Sequence, residues 1–350
     1  MTTTATRLEL AREATRTPPS LGRRAISLLV LGALLVGVAL VSLFVGSGDI
    51  PVGEAWRALW HDDGSTNAEI IRGSRLPRTL LGVAVGAAMG VAGALMQAIT
   101  RNPLADPGLL GVNAGAYFAM VVGFSLVGAT STAGSIPFAM GGALVAATLV
   151  HVVGSRGRGG ASPAKLVLTG VAVSCVFTGV AFGMTMVDPK AFDAIRGWQV
   201  GSLDKDHAFD LLTVTSPWIA GGLVVALLLS TQLNALALGD DRARSLGVPV
   251  TAVRTIGFLA LTVLCGAGTA AVGPISFLGL MIPHAVRTLV GPDQRWLLSA
   301  SALAAPVLFL AADVVGRVLL VTELPVGMVT AFIGAPVLIH LVRSRGASEL

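Results

Sequence analysis

The chain has 350 residues, of which 54% are hydrophobic and only 12% are charged, and its mean hydropathy is +0.80. Soluble globular domains carry about 25% charged residues, so this composition leaves too little polar surface to cover a soluble body of this size. It argues against a soluble protein and predicts an all-α, polytopic membrane protein. The net charge of +5 is typical of arginine in loops that set membrane orientation, so we expect no nucleic-acid partner.

About ten segments can cross an apolar layer of about 30 Å. Arginine and lysine concentrate in alternate loops, which places both termini in the cytoplasm. We expect a polar cytoplasmic tail at 1–24, a membrane domain at 25–343 and a cytoplasmic tail at 344–350. The third, eighth and tenth spans are short or rich in Gly and Pro. The predicted spans are 25–46, 79–100, 108–128, 136–154, 164–187, 211–238, 254–273, 277–291, 296–321 and 325–342.

The second span carries three glycines four residues apart, Gly82, Gly86 and Gly90. Residues four apart lie on one face of a helix. Small residues on one face let membrane helices approach closely, and this packing replaces the hydrophobic drive that lipid does not supply. We therefore predict that these glycines are helix-packing residues.

Several arginines lie on the predicted outer side, against the usual orientation pattern. Arg72, Arg75 and Arg78 precede or open the second span, and Arg317 lies near the outer end of the ninth. An acidic partner surface is the simplest reason for such charges. Asp313 shares a helix face with Arg317, so an internal ion pair is the alternative.

The largest polar break on the predicted inner side is the loop 236–250. Two glycines bracket a short stretch with charges on one side and apolar residues on the other. The pattern fits either a surface helix that binds a partner or a solvated loop. The residues concerned are Gly239, Asp240, Asp241, Ala243, Leu246 and Gly247.

Motifs for catalysis or metal binding are not found in the sequence. None of the three lysines precedes Ser or Thr, so the phosphate-binding motif of P-loop ATPases is missing. Cys175 and Cys265 lie in apolar runs without metal-ligand spacing. His284 is read as a packed residue, with a proton-relay or metal role as the alternative. We expect neither an enzyme nor a metal site.

A weak internal repeat links the second and seventh spans. Arg78-Thr79 opens one and Arg254-Thr255 opens the other, and each is followed by a Gly/Ala-rich run and an interrupted short span. Five spans separate the copies, so they face opposite ways, as in the inverted repeats of transporters. Chance similarity is the alternative.

Six motifs in order resemble the iron-siderophore and vitamin B12 ABC-importer permeases, over residues from about 50 to 343. Within that family the likeness is strongest to a ferric-enterobactin-type permease subunit, through TRNPLADPGLLGVNAGA and TVLCGAGTAAVGPISFLGLMIPH. The six motifs are RLPRTL…GALMQ…RNPLADPGLLGVNAGA, GWQVGSLD, LALGDDRARSLGV, GPISFLGLMIPHAVR, ADVVGR and ELPVGMVTAFIGAPV.

The resemblance implies a permease subunit of a type II importer in the bacterial cytoplasmic (inner) membrane. It implies a second permease subunit, more often a related chain than an identical copy. Two ATPase subunits would hold ATP and Mg, and an extracytoplasmic binding protein would deliver cargo. No cofactor is expected on this chain, whose remaining partner is membrane lipid.

The family's functional residues map onto positions already singled out. Its docking arginines, which receive carboxylates of the binding protein, correspond to Arg75, Arg78 and Arg317. Its ATPase-coupling helix corresponds to Asp240–Leu246 with the flanking glycines. The expected cargo is a ferric siderophore, with a catecholate of the enterobactin kind favoured. The alternatives are haem, cobalamin, or a proton-coupled secondary transporter using His284 and Asp313.

Overall fold

The computed structural model describes residues 19–46, 50–127, 132–155, 163–319 and 322–349, and within these ranges the regular structure is helical. Most of the predicted N-terminal tail lies outside them. The helices are α1 (Leu21–Phe44), α2 (Val52–Trp60), α3 (Thr66–Glu69), α4 (Leu76–Thr100), α5 (Val112–Val122), α6 (Thr132–Ser155), α7 (Pro163–Val187), α8 (Pro189–Gln199), α9 (Ala208–Ala237), α10 (Asp240–Ser245), α11 (Val250–Val272), α12 (Leu278–Val290), α13 (Gln294–Leu319) and α14 (Val326–Glu349).

The prediction of an all-α polytopic membrane protein is confirmed. In the described part of the chain, seven helices are long and apolar enough to cross a membrane, and three shorter apolar helices accompany them. The shorter ones are Val112–Leu126, Leu278–Val290 and Val326–Ile339. They coincide with the third, eighth and tenth predicted spans, which were the short or Gly/Pro-rich ones.

Helix α4 lies at the centre of the bundle, where 78% of its most apolar stretch is buried. It packs against α9, α11, α12 and α13. Its three glycines all face α13. A methyl group added at Gly82 would lie 2.5 Å from Cδ2 of Leu310, and one at Gly86 would lie 2.6 Å from Cα of Pro306. At Gly90 the added methyl group would lie 2.5 Å from Cβ of Ala305, so the α4–α13 contact has no room for side chains.

The helix containing α4 begins earlier than the sequence predicts. Helix α3 and the π-helical turn Ile70–Arg75 lead directly into α4, giving a helix of 35 residues from Thr66 to Thr100, whereas the predicted span starts at residue 79. Pro77 is typical of a first helical turn, which favours a late start. The π-helical turn before it is one way in which a helix accommodates a missing N–H donor.

The chain turns back into the bundle after α4. Arg101 adopts a left-handed conformation (φ 51°) that ends the helix. Asp106 Oδ1 accepts a hydrogen bond of 2.7 Å from the Gly108 amide, which starts the 3-10 turn Pro107–Leu110. Near the start of α5, Asn113 Oδ1 accepts a 3.0 Å bond from Thr269 in the last turn of α11. The helix at the third predicted span therefore begins only at Val112, after the 3-10 turn.

The C-terminal helix also differs from its predicted limit. The predicted tenth span ends at residue 342 and is followed by a tail at 344–350. Helix α14 instead continues to Glu349, so most of the predicted tail is helical.

Replacing Gly86 by alanine tests the contact between α4 and α13. The new methyl group would overlap the Pro306 backbone, and such overpacking costs about 1–3 kcal/mol. We expect the purified Gly86→Ala protein to unfold at a lower temperature in detergent. Gly37→Ala in α1 is the matched control, because nothing lies within 4 Å of the added methyl group there. Equal melting temperatures for the two variants would contradict the close contact.

Candidate functional site

A buried network of charges joins three elements at the predicted outer end of the bundle. Arg78 donates from Nη2 to Asp313 Oδ1 at 2.8 Å and from Nε to Asp313 Oδ2 at 3.1 Å. Its Nη1 donates to Glu323 at 2.8 Å and lies 3.6 Å from Asp204. The two bonds from Arg78 to Asp313 fix the start of α4 against α13. The planar guanidinium group matches the two oxygens of the carboxylate in geometry.

Arg317 shares the same aspartate. Its Nε donates to Asp313 Oδ2 at 2.9 Å, and its Nη2 also bonds that oxygen. Its remaining donors reach the end of α1, with Nη1 at 2.9 Å from the Ser42 carbonyl and 3.1 Å from the Val45 carbonyl. One carboxylate therefore holds two arginines from two helices.

Arg75 completes the outer network on the α1 side. It donates to the carbonyl oxygens of Leu43 at 3.2 Å and Phe44 at 3.1 Å, where α1 ends and its carbonyls have no helical partner. Next to it, the hydroxyls of Ser42 and Thr79 lie 2.8 Å apart. The outer ends of α1 and α4 are thus tied by backbone and hydroxyl contacts.

The network buries the three arginines predicted to receive a partner. Their exposed fractions are 4% for Arg75, 7% for Arg78 and 8% for Arg317, while Asp313 is 1% exposed. The structure shows the internal ion pair that the sequence left open for Asp313 and Arg317. The docking role stays a prediction, and in this conformation the guanidinium groups are directed inward.

A second shared aspartate lies at the opposite end of the bundle. Asp240, the first residue of α10, accepts two hydrogen bonds of 2.9 Å from Arg254 at the start of α11. It also accepts a bond from Arg101, directly after α4. Burial tends to raise the pKa of Asp240, but the hydrogen bonds and charges of the two arginines outweigh burial and lower it. The carboxylate therefore stays ionised throughout the neutral range.

The α10 segment is a short helix, one of the two forms that the sequence left open. It spans Asp240–Ser245, one residue shorter than predicted. Gly239 (φ 107°) and Gly247 (φ 77°) form the turns on either side, in conformations that favour glycine. Ala243 is fully buried whereas Leu246 is 64% exposed, so one side packs on the bundle and the other faces outward.

The two networks resemble each other. At one end Arg78 and Arg317 share Asp313, and at the other Arg254 and Arg101 share Asp240. Arg78 opens the second span and Arg254 opens the seventh, which is the correspondence that the proposed inverted repeat requires. The sequence singled out Arg78, Arg254 and both carboxylates, but not the bonds of Arg78 with Asp313 and of Arg254 with Asp240.

The two cysteines and His284 were the remaining candidates for chemistry in the sequence. Among the residues that the structure describes, no group of three or more His, Cys, Asp or Glu side chains is placed to hold a metal ion. Both cysteines are free thiols, with Cys175 exposed and Cys265 buried. His284 lies in α12 beside Pro283.

The seven long apolar helices of the described chain, with a buried charge network at one end of the bundle and an exposed short helix at the other, define a polytopic membrane protein. The model of the FecCD transport family matches residues 34–344. The chain belongs to this family.

Named relatives support this membership. The ferric enterobactin transport system permease protein FepD of Escherichia coli is 49% identical over 92% of this chain and 96% of its own. The hemin transport system permease protein HmuU of Yersinia pestis is 37% identical over 90% of this chain and 95% of its own. A solved metal-chelate type ABC transporter in an inward-facing conformation superposes with a TM-score of 0.78, at 28% identity, over 91% of this chain and 99% of its own.

Replacing Asp313 by asparagine tests the outer network. The change removes the carboxylate that pairs with Arg317 and leaves Arg78 only its contacts with Glu323 and Asp204. Breaking a buried ion pair costs about 3–5 kcal/mol. We expect Asp313→Asn to lower the melting temperature of the purified protein strongly. Asp193→Asn is the matched control, because Asp193 pairs with Arg196 on the surface with both side chains 67% exposed, and such pairs contribute about 0–1 kcal/mol. A melting temperature unchanged in Asp313→Asn would contradict the structural role of the shared carboxylate.

Proposed function

We propose that this chain is the membrane permease subunit of an ABC importer for ferric siderophores, with catecholate chelates of the enterobactin kind favoured. One observation carries the cargo class: 49% identity to a ferric enterobactin permease over nearly the full length of both chains. Energy comes from ATP hydrolysis in separate subunits that hold ATP and Mg. The chain resides in the bacterial cytoplasmic membrane with both termini in the cytoplasm.

The coupling role of α10 rests on its contacts. Its exposed side presents Leu246 and Asp241 to an ATPase subunit. Its first residue, Asp240, is bonded to Arg101 and Arg254. A displacement of α10 therefore pulls directly on the inner ends of α4 and α11, the two most completely buried of the long helices. Discrete displacement of packed helices is a usual form of transporter switching.

A binding protein that docks at the outer end must compete with bonds that the three arginines already make within this chain. Arg75, Arg78 and Arg317 are each at most 8% exposed and already bonded within the chain. A partner carboxylate that binds Arg78 or Arg317 competes with Asp313 and Glu323, and one that binds Arg75 competes with the carbonyls at the end of α1. Docking and loosening of the outer contact between α4 and α13 would then be one event.

The alternative cargoes are haem and cobalamin. Permeases with those names are 37% and 36% identical to this chain, well below the 49% of the ferric enterobactin permease. A proton-coupled mechanism through Asp313 is disfavoured because two arginines already compensate that carboxylate. The partner permease is a related chain, by analogy with FecC and FecD, two permeases of the Fe(3+) dicitrate system of Escherichia coli.

Uptake by a permease-deletion strain tests the cargo. We expect cells carrying this chain, its partner permease, its ATPase and its binding protein to accumulate iron from labelled ferric catecholates. Labelled haem and labelled cobalamin are tested in parallel, and deletion of the ATPase is the control. Accumulation of haem or cobalamin alone, or uptake that persists without the ATPase, would overturn the proposal.

The Asp240→Asn variant tests the coupling role. Loss of the charge weakens both arginine contacts, and hydrogen bonds to charged groups contribute about 1.5–3 kcal/mol. We expect ATP-driven uptake in proteoliposomes to fall at least tenfold, while the ATPase subunits still copurify with the permease. Asp241→Asn is the matched control, because Asp241 is fully exposed and, among the described residues, its ion pair is with Arg244 one turn along the same helix. Equal uptake by the two variants would contradict the coupling role of α10.

A further inference from the structure

Helix α2 lies between α1 and the predicted outer start of α4, and one of its faces is packed against the bundle. Ala55 and Ala58 on this face are 0% and 5% exposed. They form one apolar cluster with Ala68 and Ile71, which belong to the helical segments that lead directly into α4. Helix α2 is therefore fastened to the outer end of α4 through its alanine face.

A second face of α2 is a stripe of large apolar side chains that the chain itself leaves exposed. Val52, Trp56 and Trp60 follow one another at intervals of four residues, so they lie on one side of the helix. Their exposed fractions are 63%, 50% and 69%, and the two indole rings meet edge to face with centroids 6.1 Å apart. Contiguous exposed apolar surface of this kind marks contact with a partner or a membrane.

The third face of α2 is polar. Successive helical residues are about 100° apart around the axis, which places Glu54 and Arg57 between the apolar stripe and the alanine face. Both are exposed, and Glu54 accepts a 2.9 Å hydrogen bond from the Asn67 amide group. A helix with one packed, one apolar and one polar face suits a position flat against the bundle at a membrane surface, with its apolar face towards the acyl chains.

The residue types and the neighbouring surface identify lipid as the occupant of this stripe. Tryptophan, with an apolar body and one N–H donor, is enriched where hydrocarbon meets water. Within the described chain, neither Trp56 nor Trp60 donates a side-chain hydrogen bond, so both N–H groups can bind lipid carbonyl oxygens or water. Every exposed side chain of α1 between residues 25 and 41 is aliphatic or glycine, and Phe44 at the end of α1 packs on the alanine face of α2. The lipid-facing surface of α1 thus leads up to α2.

The charges beside α2 disfavour a binding protein as the occupant. Asp62 and Asp63 follow the last residue of α2 and are exposed, as is Glu69 one segment further on. A partner that offers carboxylates to the docking arginines would meet these acidic side chains if it also covered the stripe. Like charges that face each other across an interface oppose association.

We propose that α2 is an interfacial anchor, with the stripe of Val52, Trp56 and Trp60 seated between the headgroups and acyl chains of the outer leaflet. The inference goes beyond the proposed function and does not depend on the cargo. Because the alanine face of α2 packs on the segments that continue into α4, the anchor fixes the height of Arg75 and Arg78 relative to the membrane surface.

Nitroxide labels at matched positions test this placement while both tryptophans are retained. A Cys175→Ser background leaves only Cys265, which is fully buried. Labels are attached to Val52→Cys on the stripe, to Arg57→Cys on the polar face and to Leu34→Cys on the aliphatic face of α1. In the assembled importer in proteoliposomes, collisions with O₂ report hydrocarbon and collisions with a water-soluble nickel chelate report water. We expect the ratio of the two collision rates to be about tenfold higher at residue 52 than at residue 57, and highest at residue 34.

Three outcomes would overturn the anchor. Equal ratios at residues 52 and 57 would place the stripe in water. A label at residue 52 that neither reagent reaches would place the stripe against another subunit of the importer. The third outcome concerns the binding protein, whose addition should leave the collision rates at residue 52 unchanged. A loss of O₂ collisions there on its addition would make the binding protein the occupant.

The native tryptophans provide a second test. Phospholipid brominated just below the headgroup quenches the fluorescence of indole rings that contact it. The double variant Trp56→Phe and Trp60→Phe removes two of the five tryptophans, and we expect the quenched fraction to fall about 1.5-fold or more. Trp198→Phe is the matched control, because Trp198 is 7% exposed and donates to the Ala270 carbonyl, so its removal should not lower the quenched fraction. Equal quenched fractions in the double variant and the control would contradict the contact with lipid.

Discussion

The close contact between α4 and α13 is the constraint on which the remaining structure depends. Lipid offers helices no hydrophobic drive towards one another, so association relies on close packing and polar contacts. Gly82, Gly86 and Gly90 bring α4 against α13 without intervening side chains. This contact makes α4 the buried axis of the bundle and sets the distance at which Arg78 meets Asp313.

The two ends of α4 are held by the same chemistry in different surroundings. At the predicted outer end Asp313 is 1% exposed, and breaking its bonds leaves uncompensated charge in the interior. At the inner end the Asp240 side chain is 28% exposed, so its contacts with arginine can be made and broken at lower cost. The network around Asp313 therefore resists separation of α4 and α13. The contacts of Asp240 with Arg101 and Arg254 are suited to transmit a displacement of α10.

Much of this architecture could be predicted from the sequence, because hydropathy and glycine spacing are local signals. They predicted the seven long apolar helices of the described chain, the three short apolar helices at the third, eighth and tenth predicted spans, and the segment that becomes α10. The pairing of Arg78 with Asp313 could not be predicted, since 235 residues separate them and no periodicity relates them. The early start of the helix before Pro77 was missed because proline there resembles a first turn.

We propose that α10 acts on the bundle through its bonds to the residue that follows α4. A double-mutant cycle on ATP-driven uptake, combining Asp240→Asn with Arg101→Gln in proteoliposomes, measures that link directly. If the two residues act through one contact, the double variant loses little more activity than either single variant. If the fractional losses of uptake in the two single variants multiply in the double variant, as for independent sites, α10 does not act through the contact between Asp240 and Arg101.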